Sequence, residues 1–348
     1  MMRFYNEQRQ FYCGIDLHAR TMYLCIVDQV GNVLLHKDFK AQPAALLRGV
    51  GPYREGLVIG CECMFTWYWL ADLCAKEEIE FVLGHALYMR AIHGGKSKND
   101  RIDSGKIARL LRGGTFPLSY VYPAQMRSTR DLLRRRTFVM RRRSEALGHI
   151  QMTYQQYNLS SPKRRIRYAG NREAITEPFE DGSVKKMLAV DLAVIERYDQ
   201  IIKDLELFLV RHAKMDDGQT FFLLRSVPGI GKVLALTLMY EIHDIGRFPT
   251  VGQFISYSRL VNCPHTSAGK LCGSGGRKIG NAYIRWAFAE AVCLLIRELP
   301  QAKRWIDRKE KKYGKGKALA LLAAKLGRAV YWMLRRKEVF NAETFFQS

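Results

Sequence analysis

Apolar and polar positions along the first 120 residues alternate between two rhythms. The segments FYCGIDLH (11–18), TMYLCIVD (21–28) and VLLHKDF (33–39) read as three neighbouring strands, the last two joined by the turn Gln29-Val30-Gly31-Asn32. Pro43 to Arg54 reads as a helix, LVIGCECM (57–64) as a buried strand, WYWLADLCAKE (67–77) as a helix and EFVLGH (80–85) as a strand. A helix from Asp103 to Arg112 closes this part. Residues 124–157 lack proline and carry a single glycine, Gly148, so they read as one long helix. A polar break over 158–183 follows. In Val184 to Lys214, apolar positions including Leu188, Ile195, Tyr198, Ile202, Leu205 and Leu209 keep three- and four-residue steps, with Asp191 the one polar slip. Two long helices around a break predict a helical hairpin or coiled coil. An intramolecular pair and a dimer zipper satisfy the pattern equally.

Three neighbouring strands followed by alternating strands and helices match an RNase H-like α/β layout, a fold that gathers carboxylates at strand ends. The resulting division is an α/β domain over 1–122, a helical or coiled-coil spacer over 123–215 and a mainly helical domain over 216–348. With 348 residues, 48% hydrophobic, the chain is long enough for two or three such cores.

Charge changes the picture next. With 56 basic against 33 acidic residues the net charge is +23, a surplus that predicts a polyanionic partner, nucleic acid first. A membrane partner is not expected, since no apolar run approaches the roughly 20 residues of a spanning helix. MMRFYNEQRQ lacks a signal-peptide core, and a cytoplasmic location is expected. The eight cysteines show no CxxC spacing and read as reduced, buried thiols. Arg127, Arg130, Arg134, Arg135, Arg136, Arg141, Arg142 and Arg143 go round the long helix rather than lining one stripe. The last six are expected to bind nucleic acid.

Against this basic background four acids stand out. Asp16 closes one apolar strand and Glu62 another; Asp100 and Asp103, three residues apart, share one face at the head of a helix. Converging, they suit a hard divalent cation such as Mg2+, with Mn2+ able to substitute, and metal-assisted chemistry on a phosphate backbone. The spacing alone is equally satisfied by strand-end and helix-capping carboxylates. Val227-Pro228-Gly229-Ile230-Gly231, followed by an amphipathic helix from Lys232, has the form of a helix-hairpin-helix element in which glycine N–H groups approach a phosphate. Residues 263–280 carry five glycines and the basic residues Lys270, Arg277 and Lys278. Such a loop is either a phosphodiester wrap exposing Ser267 or Ser274 as a nucleophile, or a surface loop. No GxxxxGK[ST] phosphate loop is present.

Taken together, GIDLH, the Glu62 strand and GHALYMRAIHGGKSKNDRIDSGKIARLL, with RSVPGIGKVLALTLMYEI, RFPTVGQFISYSRLV and the TSAGK…RKIGNAYIRWAFAEA block, resemble the IS-one-ten family of insertion-sequence transposases, recombinases of the DEDD type. The resemblance covers both ends of the chain in family order. It implies a RuvC-like nuclease domain with Asp16, Glu62, Asp100 and Asp103 as the acids, a coiled-coil spacer, and a C-terminal domain whose catalytic serine matches Ser267. It further implies a dimer or tetramer acting on double-stranded donor and target DNA, guided by a structured non-coding RNA. Thr-Ser-Ala-Gly replaces the family's usual Ser-Ser-Gly-Gly, leaving Ser274 as a competitor, and CMFTWYW after Glu62 is bulkier than the family pattern. A metal-dependent, structure-selective nuclease using activated water is the alternative enzyme, and a nucleic-acid scaffold the non-enzymatic one.

Overall fold

The computed structural model describes residues 3–92, 99–162, 165–261, 263–267, 269–275 and 279–347. The chain divides into two compact units, Met1–Ala124 and Gln125–Ser348.

The first unit is built on a seven-stranded mixed sheet. Its strands are β1 (Phe4–Tyr5), β2 (Phe11–Leu17), β3 (Thr21–Asp28), β4 (Val33–Lys40), β5 (Leu57–Glu62), β6 (Glu80–Gly84) and β7 (Phe116–Ser119). They lie in the order β1-β7-β6-β5-β2-β3-β4. The pairs β2–β3 and β3–β4 are antiparallel, whereas β2–β5 and β5–β6 are parallel. This mixed order is compatible with the RNase H-like layout expected from the sequence. Helices α1 (Pro43–Val50) and α2 (Trp67–Lys76) pack with Cys13, Ile15, Leu24, Ile26, Ile59 and Cys61 on one face. The alternate positions Tyr12, Cys25 and Val58 meet the helix α4 (Asp100–Arg112) on the other, through Ile107, Ala108 and Leu111. Covering both faces explains why these strands read as nearly continuous apolar runs.

Several elements differ from the sequence reading. The first helix stops at Val50 because Gly51-Pro52 opens a 3-10 turn over Gly51–Tyr53. Helix α4 begins at Asp100 rather than Asp103, because the Asn99 side chain caps the Ile102 N–H at 2.7 Å. The short strands β1 and β7, and the helix α3 (Ala86–Ile92), carry too few residues for a periodic signal. Cys63, Cys272 and Cys293 are exposed, whereas Cys13, Cys25, Cys61 and Cys74 are buried as expected.

The second unit begins with α5 (Ala124–Gln156) and α6 (Gly182–Arg225), the latter interrupted by non-helical backbone at Asp217. The two run antiparallel, as ion pairs Arg136–Glu206, Arg143–Asp199 and His149–Asp191 climb one helix while descending the other. Leu188, Ile195, Ile202 and Leu209, seven residues apart, form the buried seam of α6. Leu188 and Ile195 meet Ala146, Ile150 and Tyr154 of α5 around the segment carrying Ile166, Ile175 and Phe179. The remaining elements are α7 (Lys232–Ile242), α8 (Val251–Tyr257), β8 (Cys263–Ser267), β9 (Lys270–Gly275), α9 (Ala282–Glu298), α10 (Pro300–Tyr313), α11 (Lys315–Arg336) and α12 (Ala342–Gln347). One large core joins Met126 and Leu133 of α5 and Leu209 of α6 to α7, α9 and α11.

Candidate active site

Asp16 and Glu62 come together through sheet register. Strands β2 and β5 pair in parallel with Gly14 opposite Gly60 and Ile15 opposite Cys61, so the next residues, Asp16 and Glu62, end neighbouring strands on the same face. Two glycines then bring α4 onto that face. A Cβ on Gly14 would sit 2.2 Å from the Ser104 carbonyl oxygen, and one on Gly60 would sit 2.9 Å from a Leu111 methyl. From the other side, His36 of β4 shares its Nε2 with the Arg101 carbonyl oxygen at 2.8 Å, tying the first turn of α4 to the sheet. That turn carries Asp100 and Asp103.

The outcome is a compact acidic corner. Ligand atoms of Asp16, His18 and Asp100 lie within 4.8 Å of one another. His18 Nε2 stands 3.5 Å from an oxygen of each aspartate. Burial raises the Asp16 pKa and the neighbouring His18 lowers it, while the like charges of Asp100 and Asp103 push it up again; the net direction is up. Asp103 accepts from Lys106 Nζ at 3.0 Å. A partly buried carboxylate crowded by two others gains from a hard cation, and an oxygen-rich donor set suits one. His18 was not singled out by sequence reasoning. Its signal was present, since it stands two residues beyond Asp16, just past the end of β2.

Ser267 belongs to the second unit and is exposed. Within the glycine-rich stretch, Cys263–Ser267 and Lys270–Gly275 pair as a two-stranded hairpin, with Ser267 opposite Lys270 and Gly269 at φ +76°. Ser274 lies on β9 opposite Pro264, but its side chain, like Arg277 and Lys278 altogether, falls outside the described residues. The hairpin's base is held closed. Arg259 Nε donates to the Ile279 carbonyl at 2.9 Å and the Asn281 N–H to the Tyr257 carbonyl at 2.7 Å. Asn281 also donates to Glu241, which is 1% exposed and held by Arg130 and Arg134. Burial raises the Glu241 pKa, but the Arg134 hydrogen bond and the two guanidinium charges outweigh it, and the net direction is down. Glu241 also escaped the sequence reading, although a lone acid in the apolar run KVLALTLMYEI marks such a group.

The turn at Val227–Gly231 does join two helices, yet Gly229 serves packing. Its N–H donates to Glu298 at 2.8 Å, and a Cβ there, at φ +86°, would sit 2.6 Å from the backbone nitrogen of Leu295 in α9. Gly231 and Lys232 are exposed at the start of α7. Among the arginines of α5, Arg134, Arg136 and Arg143 are engaged by Glu241, Glu206 and Asp199, and Arg142 pairs with Glu145 along its own helix. Arg135, Arg141 and Arg142 face solvent.

Comparison with known proteins decides what this arrangement belongs to. A DEDD-type transposase family matches residues 13–159, spanning the acidic corner, and the family described as Transposase IS116/IS110/IS902 matches residues 222–306, spanning the serine hairpin. The chain belongs to the IS110/IS116/IS902 family of transposases. It is 23% identical over 336 residues to the transposase for insertion sequence element IS1111A of Coxiella burnetii, covering 94% of this chain and 90% of that protein. The transposase for IS1328 of Yersinia enterocolitica is 20% identical over 336 residues, covering 94% and 98%. A putative transposase, y4qE, of Sinorhizobium fredii is 26% identical over 296 residues, covering 82% and 71%. As a transposase the chain catalyses DNA strand cleavage and transfer, and the DEDD character implies a divalent metal. Among the described residues no helix is long and apolar enough to cross a membrane.

Proposed function

We propose that this transposase cuts and rejoins DNA through a covalent serine–DNA intermediate, with Asp16, Glu62, Asp100 and Asp103 holding Mg2+ (or Mn2+ in its place) and Ser267 as the nucleophile. The observation that carries the reading is the register of β2 and β5, which sets Asp16 beside Glu62 under the first turn of α4. When bound, the cation would polarise the phosphodiester and neutralise charge on its oxygens. The chain's own residues do the rest. The Ser267 hydroxyl gives up its proton as Oγ bonds to phosphorus, and the sugar oxygen whose bond to phosphorus breaks leaves as a hydroxyl, taking up a proton in exchange. Attack by a sugar hydroxyl of another strand then releases Oγ and restores a phosphodiester. Bond number is conserved throughout, so no nucleotide triphosphate is needed. Lys270, opposite Ser267 in the hairpin, supplies positive charge near the phosphate, and Arg277 and Lys278 extend it.

In the same reading residues 1–122 are the nuclease domain, 123–215 the spacer and 216–348 the serine-bearing domain. A structured non-coding RNA directs donor and target choice, and the protein works in the cytoplasm as a dimer or tetramer. The exposed Arg135, Arg141 and Arg142, with Gly231 and Lys232, serve nucleic-acid binding.

Trapping on a nicked suicide duplex, followed by digestion and peptide mapping, tests the mechanism. The expected product is DNA joined to the Ser267 peptide, absent in Ser267→Ala together with recombination. An adduct on Ser274 would keep the mechanism and move the nucleophile. Cutting that persists in Ser267→Ala without any adduct would establish a water-using nuclease instead.

A further inference from the structure

The turn between α10 and α11 concentrates positive charge with little to neutralise it. Arg308, Lys309, Lys311, Lys312, Lys315 and Lys317 stand within ten residues, with Glu310 the one acid among them. Among the described residues none of these six cations makes an ion pair, whereas Lys303, one turn earlier, pairs with Asp307 at 2.6 Å. The ammonium groups rest on rings: Lys309 lies 5.5 Å from the Trp305 centroid, and Lys312 and Lys317 lie 5.3 and 4.9 Å from that of Tyr313. Lys311 and Lys312 suit the C-terminal turn of α10, but Lys315 and Lys317 open α11, where the helix dipole disfavours cations and no acid stands in the first turn. Helix stability therefore does not account for the cluster, and mutual repulsion works against it.

We infer that the α10–α11 turn is a docking surface for the phosphate backbone of duplex DNA, independent of base sequence. Charge complementarity selects a polyanion, and the aromatic groups select the form. Single-stranded nucleic acid and RNA loops are held largely by bases stacked on open ring faces. Here Tyr313 is already approached by two ammonium groups and Trp305 by one, so the rings anchor lysines instead of offering platforms. Lysine is a point charge that follows phosphates without reading bases. The inference rests on the family's DNA chemistry and not on the serine mechanism.

Anisotropy titrations of a labelled duplex of arbitrary sequence with the full-length chain test it. The variant K312Q/K315Q/K317Q keeps three exposed helical or near-helical positions in good helix formers. Its plot of log affinity against log salt should flatten by up to about 2.7 for three lost phosphate contacts, equally for unrelated sequences. The control K185Q/K186Q/K203Q on α6 removes the same charge at exposed positions elsewhere and should leave the slope within about one contact of the parent. An unchanged slope in the first variant, with its thermal midpoint retained, overturns the inference. So does equal flattening by the control, which would make the effect one of net charge. A larger loss on a single strand or an RNA hairpin than on the duplex also overturns it.

Discussion

At the scale of single residues, the acidic corner depends on atoms that are absent as much as on those present. Gly14 lets the Ser104–Ala108 stretch of α4 approach the sheet, and its missing Cβ leaves no room for a substitute because the nearest atoms are backbone. Gly14→Ala should therefore cost about 1–3 kcal/mol of stability and displace Asp100 and Asp103, read as a lowered thermal midpoint with weakened cleavage. Alanine at Asp16, Glu62, Asp100 or Asp103 should lower strand cleavage by at least about 100-fold, since loss of a direct ligand exceeds the cost of losing an outer-shell partner. Duplex binding should persist, because it rests on dispersed basic contacts. Normal recombination by any of the four would remove that residue from the site. Glu241 carries a different expectation. Its folded pKa is depressed, so the stability it contributes is present at neutral pH and is lost as pH falls from about 4.5, the ordinary glutamate value, through the folded one. Glu241→Gln should flatten the acid limb of the stability curve. It should also destabilise the protein at pH 7 by about 3–5 kcal/mol, as two arginines lose a buried partner.

At the scale of elements, the α5–α6 hairpin separates two kinds of arginine that look alike in sequence. Arg134, Arg136 and Arg143 bind carboxylates on α6 and α7, so alanine there should lower the melting temperature more than nucleic-acid affinity. Arg135→Ala with Arg141→Ala should do the reverse, lowering affinity and the salt slope while the melting curve stays put; melting loss without affinity loss would make that face structural. This contrast also marks how far the sequence could be read. The longer strands and helices of the first unit were legible because most of them bury one or both faces, and Asp16, Glu62, Asp100 and Asp103 were legible as element ends. The approach of Asp100 to Asp16 and His18 was not, since it depends on the Gly14–Gly60 register and on the close approach of α4. The partners of the arginines were equally hidden: Glu206 and Asp199 lie 70 and 56 residues away from Arg136 and Arg143. Glycine-rich composition misdirected twice. Cys263–Ser267 and Lys270–Gly275 pair backbone to backbone as a hairpin, and Gly229 packs against α9 while Glu298 takes its N–H.

At the scale of the whole molecule, the net charge of +23 separates binding from chemistry. Each phosphate that the chain neutralises releases counterions, so affinity for DNA should fall linearly on a log–log salt plot. If about 6–10 phosphates are contacted, raising salt from about 50 to about 200 mM should weaken binding by about 10³–10⁵. The acidic corner should contribute nothing favourable to this slope, because its groups carry the wrong sign for phosphate unless a cation intervenes. A chelator should therefore stop cleavage while leaving the slope nearly unchanged, and adding Mn2+ or Mg2+ should restore cutting without steepening it. Binding that stayed flat across that salt range would mean that the basic faces are solvated or turned to protein. A slope that collapsed on chelation would mean that the metal bridges DNA to the chain even in the resting complex, with the acids then serving affinity as well as reaction.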